Sequence, residues 1–320
     1  MEQQQFDPRQ RIIGILYAVT TALFWGFLAI AMKIGFDFVS PATMVWFRFT
    51  TAFWALFLFF SVKNRGKLRI LIRPHWMLIL AAAGLSLNYI GFANGIDYAG
   101  PATAQVFIQL GPMLLAVSGV VLFKERLSWR QKFGFLLAFA GFYLFYYEKI
   151  QRIGSDGSGD FIIGLAWIVM GATTWSVYAV LQKILVRTFS AQQLNLFIYG
   201  FAMVVYLPFV TFSEFSQLDG TQWAIMIFLG ANTLIAYGCL AEAFKYVEAN
   251  KISIIATMNP IITFVALSVM AYLNIDWIDQ DPFSALMWIG AVTVLFAAIM
   301  VIMPKRKNRK KPRSHDPKAS

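Results

Sequence analysis

The chain has 320 residues, of which 59% are hydrophobic and only 13% charged, with a mean hydropathy of +0.63 and a formal net charge of +11. An apolar fraction this high is unlike that of a water-soluble globular chain, so an ordinary soluble domain is excluded and a lipid bilayer is the expected solvent. In a soluble protein the positive charge would suggest nucleic acid; here its distribution along the chain has a simpler cause.

A bilayer core is crossed by about 20 mostly apolar residues in a helix, and the sequence offers that pattern ten times. In chain order the predicted spans are Ile12 to Gly35, Ala42 to Val62, Trp76 to Ile96, Ala102 to Phe123 and Arg130 to Tyr147, then Phe161 to Gln182, Gln193 to Ser213, Gln222 to Phe244, Ile252 to Asn274 and Phe283 to Met303. The long polar pieces are the first eleven residues, the loop from Glu148 to Asp160 and the tail after Pro304. None holds a sizeable soluble domain, which excludes catalysis outside the membrane. The N-terminus lacks the basic stretch, short apolar run and small-residue cleavage site of a removable signal peptide, so helix 1 is expected to be retained. The single cysteine, Cys239, falls in helix 8 and allows no internal disulfide.

Basic residues collect in cytoplasmic loops because their translocation is disfavoured. With the N-terminus inside, nearly all of the 27 Lys and Arg fall on the inner side, leaving Lys33, Lys149 and Arg152 outside and Arg48 within helix 2. Asp37, Asp97, Asp156, Asp160, Glu214, Asp219, Asp276, Asp279 and Asp281 fall outside under the same assignment. The expectation is a multi-pass protein of a cell inner (plasma) membrane with both termini cytoplasmic and no nucleic-acid partner. The basic run from Lys305 to Arg313 reads as a topology anchor, with a grip on anionic lipid head groups as the alternative.

Sliding the chain against itself reveals a repeat. Gly14, Ala22, Trp25, Ala29 and Lys33 match Gly164, Ala172, Trp175, Ala179 and Lys183 at a separation of 150. Tyr89, Ala93, Tyr98 and Pro112 match Tyr237, Ala241, Tyr246 and Pro260 at a separation of 148. Helix 5 lies on helix 10 through Gly134 and Gly290. Each half holds five helices, an odd number, so the second enters the membrane from the opposite side. The expected fold is therefore an all-α integral membrane protein of ten transmembrane helices in two inverted five-helix repeats, an architecture that presents a midplane site alternately to each face. The expected organisation is an N-terminal tail over 1–11, repeats over 12–148 and 161–303, a linker over 149–160 made flexible by Gly154 to Gly159, and a basic tail over 304–320.

Helices 4 and 9 carry a shared polar stripe. Gln105, Gln109 and Pro112 share one helix face by their spacing, and Ser253, Thr257 and Pro260 are their counterparts, with Asn259 beside the second proline. Polar side chains avoid lipid, so both stripes should point inward, either lining a cavity or gluing helices together. The two prolines each remove a backbone donor and serve as candidate hinges. Trp25 and Trp175 stand at matched mid-helix positions far from the interfaces where Trp usually rests, accompanied by Tyr178, Tyr89 and Tyr237. These aromatics either border a substrate or simply pack. Asn88 and Asn94 add amides on helix 3. Glu242, matched by Asn94, is an acid inside helix 8; it is a proton carrier or a partner for a cationic substrate group, unless it pairs with Lys245 near the interface. Arg48 is expected to snorkel to water at the outer end of helix 2 or to pair with Asp37, with contact to a substrate anion as the lesser alternative. Lys33 and Lys183 read as snorkelling anchors.

Taken together, the five-plus-five inverted repeat, the Trp in helices 1 and 6, the Arg in helix 2, the Pro late in helices 4 and 9, and Lys124, Glu125, Arg126 and Leu127 leading into helix 5 resemble the EamA-type branch of the drug/metabolite transporter superfamily. The likeness runs from about Ile12 to Met303, and departs from the pattern where Tyr272 and Leu273 replace Lys124 and Glu125 and where Asp276 to Asp281 lengthen the loop. It implies a carrier, mostly an exporter in that family, of amino acids, nucleotide precursors or other small metabolites. No catalytic constellation or phosphate-binding glycine loop is visible, so a membrane enzyme, a metal site and a cofactor are not expected. A channel, a lipid flippase and a membrane sensor remain as other readings. No nucleotide-binding motif is visible, so energy must come from a gradient, with protons the candidate ion, or from the cargo itself. The few fixed charges in the seam favour an uncharged or zwitterionic, partly apolar metabolite such as an amino acid over a phosphate, which would call for several convergent Lys or Arg.

Overall fold

The computed structural model describes residues 8–111, 113–114, 117–118, 129–151, 158–185, 188–246, 255, 258–273, 275 and 284–302. Among these residues all regular structure is helical. The main helices are α1 (Pro8–Gly35), α2 (Pro41–Lys63), α3 (Trp76–Ala99), α4 (Pro101–Phe107), α5 (Trp129–Gln151), α6 (Ser158–Leu185), α7 (Ala191–Tyr206), α8 (Gly220–Tyr246), α9 (Asn259–Tyr272) and α10 (Ala285–Ile302). Five of them, α1, α2, α3, α6 and α8, hold stretches long and apolar enough to cross a membrane, and α5, α9 and α10 carry shorter apolar segments. Lipid-compatible side chains cover the outside: Leu58, Leu136, Phe139, Val204 and Phe296 are all exposed.

Local chemistry sets the boundaries. Pro41 opens α2 after an extended Ser40, at the one position where a missing N–H is harmless. His75 caps α3 by accepting from the Met77 N–H at 3.2 Å. That helix stops at Gly100, whose φ of +84° suits only a residue without Cβ, and Pro101 starts α4 at once. The predicted single span Ala102 to Phe123 is interrupted: α4 ends at Phe107, Ile108 and Gln109 form a turn before helix resumes at Leu110, and the Gly111 N–H turns back to the Ile108 carbonyl at 2.9 Å. A proline at position 112 brings no N–H for the Ile108 carbonyl, which suits a break at this point. Helix α7 is likewise shorter than predicted, ending at Tyr206 because Pro208 forces a 3₁₀ turn over Leu207–Phe209. Between the halves, α5 runs to Gln151 and α6 begins at Ser158.

Helix pairing follows the repeat. Exchanging each helix for the one five places on turns the α1–α8 contact into α6–α3 and α2–α8 into α7–α3, while α2–α7, α4–α9 and α5–α10 map onto themselves; all of these pairs are in contact. One hydrogen bond shows the correspondence at atomic scale. Thr21 Oγ1 donates to the Ala236 carbonyl at 3.1 Å, and at the equivalent place Asn88 Nδ2 donates to the Gly171 carbonyl at 2.9 Å. The same two positions are tied in both halves, with the donor on the opposite helix.

Direction can be read from contacts. Lys33 Nζ donates to the Asp97 carbonyl at 2.8 Å, joining the C-terminal ends of α1 and α3, which therefore run the same way. Gly84 faces Thr174 and Tyr178, whereas Gly95 faces Gly164 and Ile168, so α6 runs against α3. It follows that α6 is antiparallel to its repeat partner α1. The α3–α6 seam is lined with small residues, Gly84, Gly91 and Gly95 against Gly164 and Gly171, which lets two backbones approach where no hydrophobic effect draws them together.

Candidate functional site

Helix α1 is the hub of the interior. Three consecutive carbonyls each accept from a different helix: Phe24 from Asn232 Nδ2 of α8 at 2.7 Å, Trp25 from Gln105 Nε2 of α4 at 3.0 Å, and Gly26 from Thr263 Oγ1 of α9 at 2.6 Å. Gly26 makes the last contact feasible, since a Cβ there would meet Ile262 and the Asn259 carbonyl. Gln105 of the first stripe and the start of α9 are thereby drawn to the same stretch of α1.

Gln105 and Gln109 are 1% and 4% exposed, so this stripe faces protein and not lipid. Gln105 uses its amide on Trp25, but its Oε1 finds no partner among the described residues; Asn259 Oδ1, at the start of α9, finds none either. Buried polar atoms left over in this way are rare and mark places where water or ligand binds. The aromatic residues border the stripe. Trp25 meets Tyr237 edge-on at 5.5 Å, and Trp175 packs so close to the chain just beyond α4 that a Cβ on Gly111 would lie 2.9 Å from its ring. Tyr178 is buried, with the side chain of Gln182 in hydrogen-bonding reach, and Asn94 is half-buried on α3. Asn88 holds α3 to α6 through Gly171. Pro260 sits buried in the first turn of α9. Pro112, Ser253 and Thr257 lie outside the described residues.

Glu242 is half-buried and lines a cleft of about 430 Å³ with Phe59, Phe60, Lys63, Asn64, Lys67 and Gln192. The cleft lies at the end of the molecule holding the C-terminal end of α2, where two lysines rest over phenyl rings. Neither Gln105 nor Asn259 is among the residues that line this cleft. Among the described residues no three His, Cys, Asp or Glu side chains cluster as metal ligands.

Arg48 corrects the sequence reading. It neither reaches water nor meets Asp37: it is 2% exposed, while Asp37 is exposed. Nε donates to Thr233 Oγ1 and Nη1 to Met32 Sδ, each at 3.2 Å, and the guanidinium lies 5.1 Å from the centre of the Tyr89 ring. The phenols of Tyr89, Tyr199 and Tyr237 lie close enough to interact with its charge. A signal for this was present in the sequence, because Arg48 lies three or four residues from Met44, Val45 and Ala52, on the face that α2 buries. Thr233, Tyr199, Asn232 and Thr263 were not singled out from sequence; each is a mid-helix polar residue facing inward.

Two inverted helical repeats enclosing a polar and aromatic seam, with an apolar exterior, define a membrane transporter. Residues 12–147 and 162–303 both match the EamA-like transporter family, and the chain belongs to that family. It is 33% identical over 294 residues, 91% of each chain, to the "Uncharacterized inner membrane transporter YhbE" of Escherichia coli K12. To an "Uncharacterized transporter" of Haemophilus influenzae it is 29% identical over 293 residues, 91% of this chain and 95% of the relative. A solved crystal structure superposes with a TM-score of 0.61 at 18% identity, over 91% of this chain and 97% of the other, a likeness of fold alone.

Proposed function

We propose that this transporter is a secondary carrier that exports small amphipathic metabolites, amino acids or related compounds, across the inner membrane by alternating access. The observation that carries the reading is the pair of buried, unpartnered amide oxygens, Gln105 Oε1 and Asn259 Oδ1, on the paired helices α4 and α9. Amides offer hydrogen bonds to a polar head, and Trp25, Trp175 and Tyr237 beside them offer faces to an apolar body. Because repeat-equivalent helices from the two halves meet at this seam, exchanging the conformations of the halves would move its opening from one side to the other. In this reading both termini are cytoplasmic, the repeats span 12–148 and 161–303, the joint between them is the linker at 149–160, and an ion gradient, with protons the first candidate, supplies the energy.

Counterflow in proteoliposomes tests the proposal. A carrier gives saturable, competable exchange of labelled leucine or phenylalanine that falls when Gln105 is changed to Leu. Unsaturable, ion-like conductance would overturn it in favour of a channel.

A further inference from the structure

Arg48 remains unexplained by helix packing. A guanidinium carries five N–H donors and a fixed positive charge, yet the hydrogen bonds around Arg48 are two, one to a hydroxyl and one to a thioether, the latter a weak acceptor. Among the described residues no carboxylate pairs with it; Asp97 is engaged by Lys33 at 3.5 Å. A buried charge without a counter-ion is unfavourable, and membrane proteins that keep one do so where an ion or substrate arrives. The surroundings favour an anion. Tyr199 Oη is buried with no hydrogen-bond partner among the described residues, and Tyr89 Oη is buried with only the hydroxyl of Tyr237 within reach, so two phenols stand beside the cation. Tyr237, the third phenol near Arg48, packs on Trp25, whose carbonyl holds Gln105. A continuous path of contacts thus leads from Arg48 to the seam.

Resting on the carrier reading above, we infer that Arg48, with Tyr89 and Tyr199, binds the carboxylate of the transported substrate, while its apolar body lies along Tyr237 and Trp25. One planar guanidinium and two hydroxyls fit a singly charged carboxylate, which a fork of parallel N–H donors matches. A phosphate would need further cations, and the half-buried Lys33 is held by Asp97. The substrate class is then an amino acid or a monocarboxylate with an apolar side chain.

The test uses the full-length purified protein and matched pairs of probes: leucine and leucinamide, phenylalanine and phenylalaninamide, phenylacetate and phenylacetamide. Thermal shift and counterflow on the wild type are expected to detect acids and miss their amides. Arg48→Lys, which keeps the charge but loses the fork, should weaken acid binding on the order of 10- to 100-fold, the loss expected for a hydrogen bond to a charged group. Tyr199→Phe, kept as a second variant should Arg48→Lys fold poorly, should weaken it less. Amides bound as well as acids, or acids bound equally by wild type and Arg48→Lys, would overturn the assignment while leaving the carrier intact. If neither acids nor amides are bound or exchanged, the carrier reading of small amphipathic metabolites falls with it.

Discussion

The α3–α6 seam permits a quantitative test of how the two halves are held together. A Cβ added to Gly91 would lie 2.7 Å from the Trp167 carbonyl oxygen and 3.0 Å from both Gly171 Cα and Met170 Cε. Two of these three atoms belong to the backbone of the opposite helix, so the clash cannot be relieved by turning a side chain. Gly91→Ala gains about 1 kcal/mol in helix propensity, but overpacking costs about 1–3 kcal/mol, so the expected net effect runs from neutral to a loss of about 2 kcal/mol. Gly238 of α8 supplies the control, since nothing lies within 4 Å of its added Cβ. There Gly238→Ala keeps the propensity gain alone. Melting of the detergent-purified proteins should place Gly238→Ala at or above wild type and Gly91→Ala a few degrees below it. The reverse order would show that α3 and α6 do not approach as closely as described.

Thr263→Val removes the bond to the Gly26 carbonyl with little change of shape and should lower stability by about 0.6 kcal/mol, the average for such bonds in membrane proteins; an unchanged melting temperature would mean that α9 does not depend on this tie to α1. Glu242→Gln should flatten the pH dependence of exchange at normal protein levels if the carboxylate carries protons; an unaltered pH profile would remove Glu242 from coupling. Reporter fusions at the two ends should place both in the cytoplasm, and opposite faces would be incompatible with an even number of spans.

The fold was readable from the sequence because the bilayer imposes a repeated length and the repeat doubles the signal. Trp25 and Trp175, or Tyr89 and Tyr237, align without a gap in their helices, and the predicted starts of α2, α3 and α5 fall within a residue of those observed. What failed was local. Pro208 cut α7 short, and the break at Ile108 and Gln109 splits a helix read as continuous, since apolar run length is blind to backbone donors. Gln105 was named from its stripe and Asn259 from its place beside Pro260, and both have a buried amide oxygen in the structure. The burial of Arg48 was not, because nearness to a helix end suggested water, whereas the side chain's direction depends on which face of α2 meets α1, α3 and α8. Thr233 and Tyr199 were invisible for the same reason: a single Thr or Tyr in an apolar helix gains meaning only from what lies opposite.

The central claim is that a seam between two inverted repeats opens to each side of the membrane in turn. Its most direct test replaces Cys239 with Ser and introduces single cysteines at Gln105 and Asn259 in oriented proteoliposomes, with a membrane-impermeant thiol reagent applied to one face at a time. The account predicts that both positions react from either face and that a transported substrate slows the reaction. Labelling confined to one face, or reaction only with a lipid-soluble reagent, would contradict it.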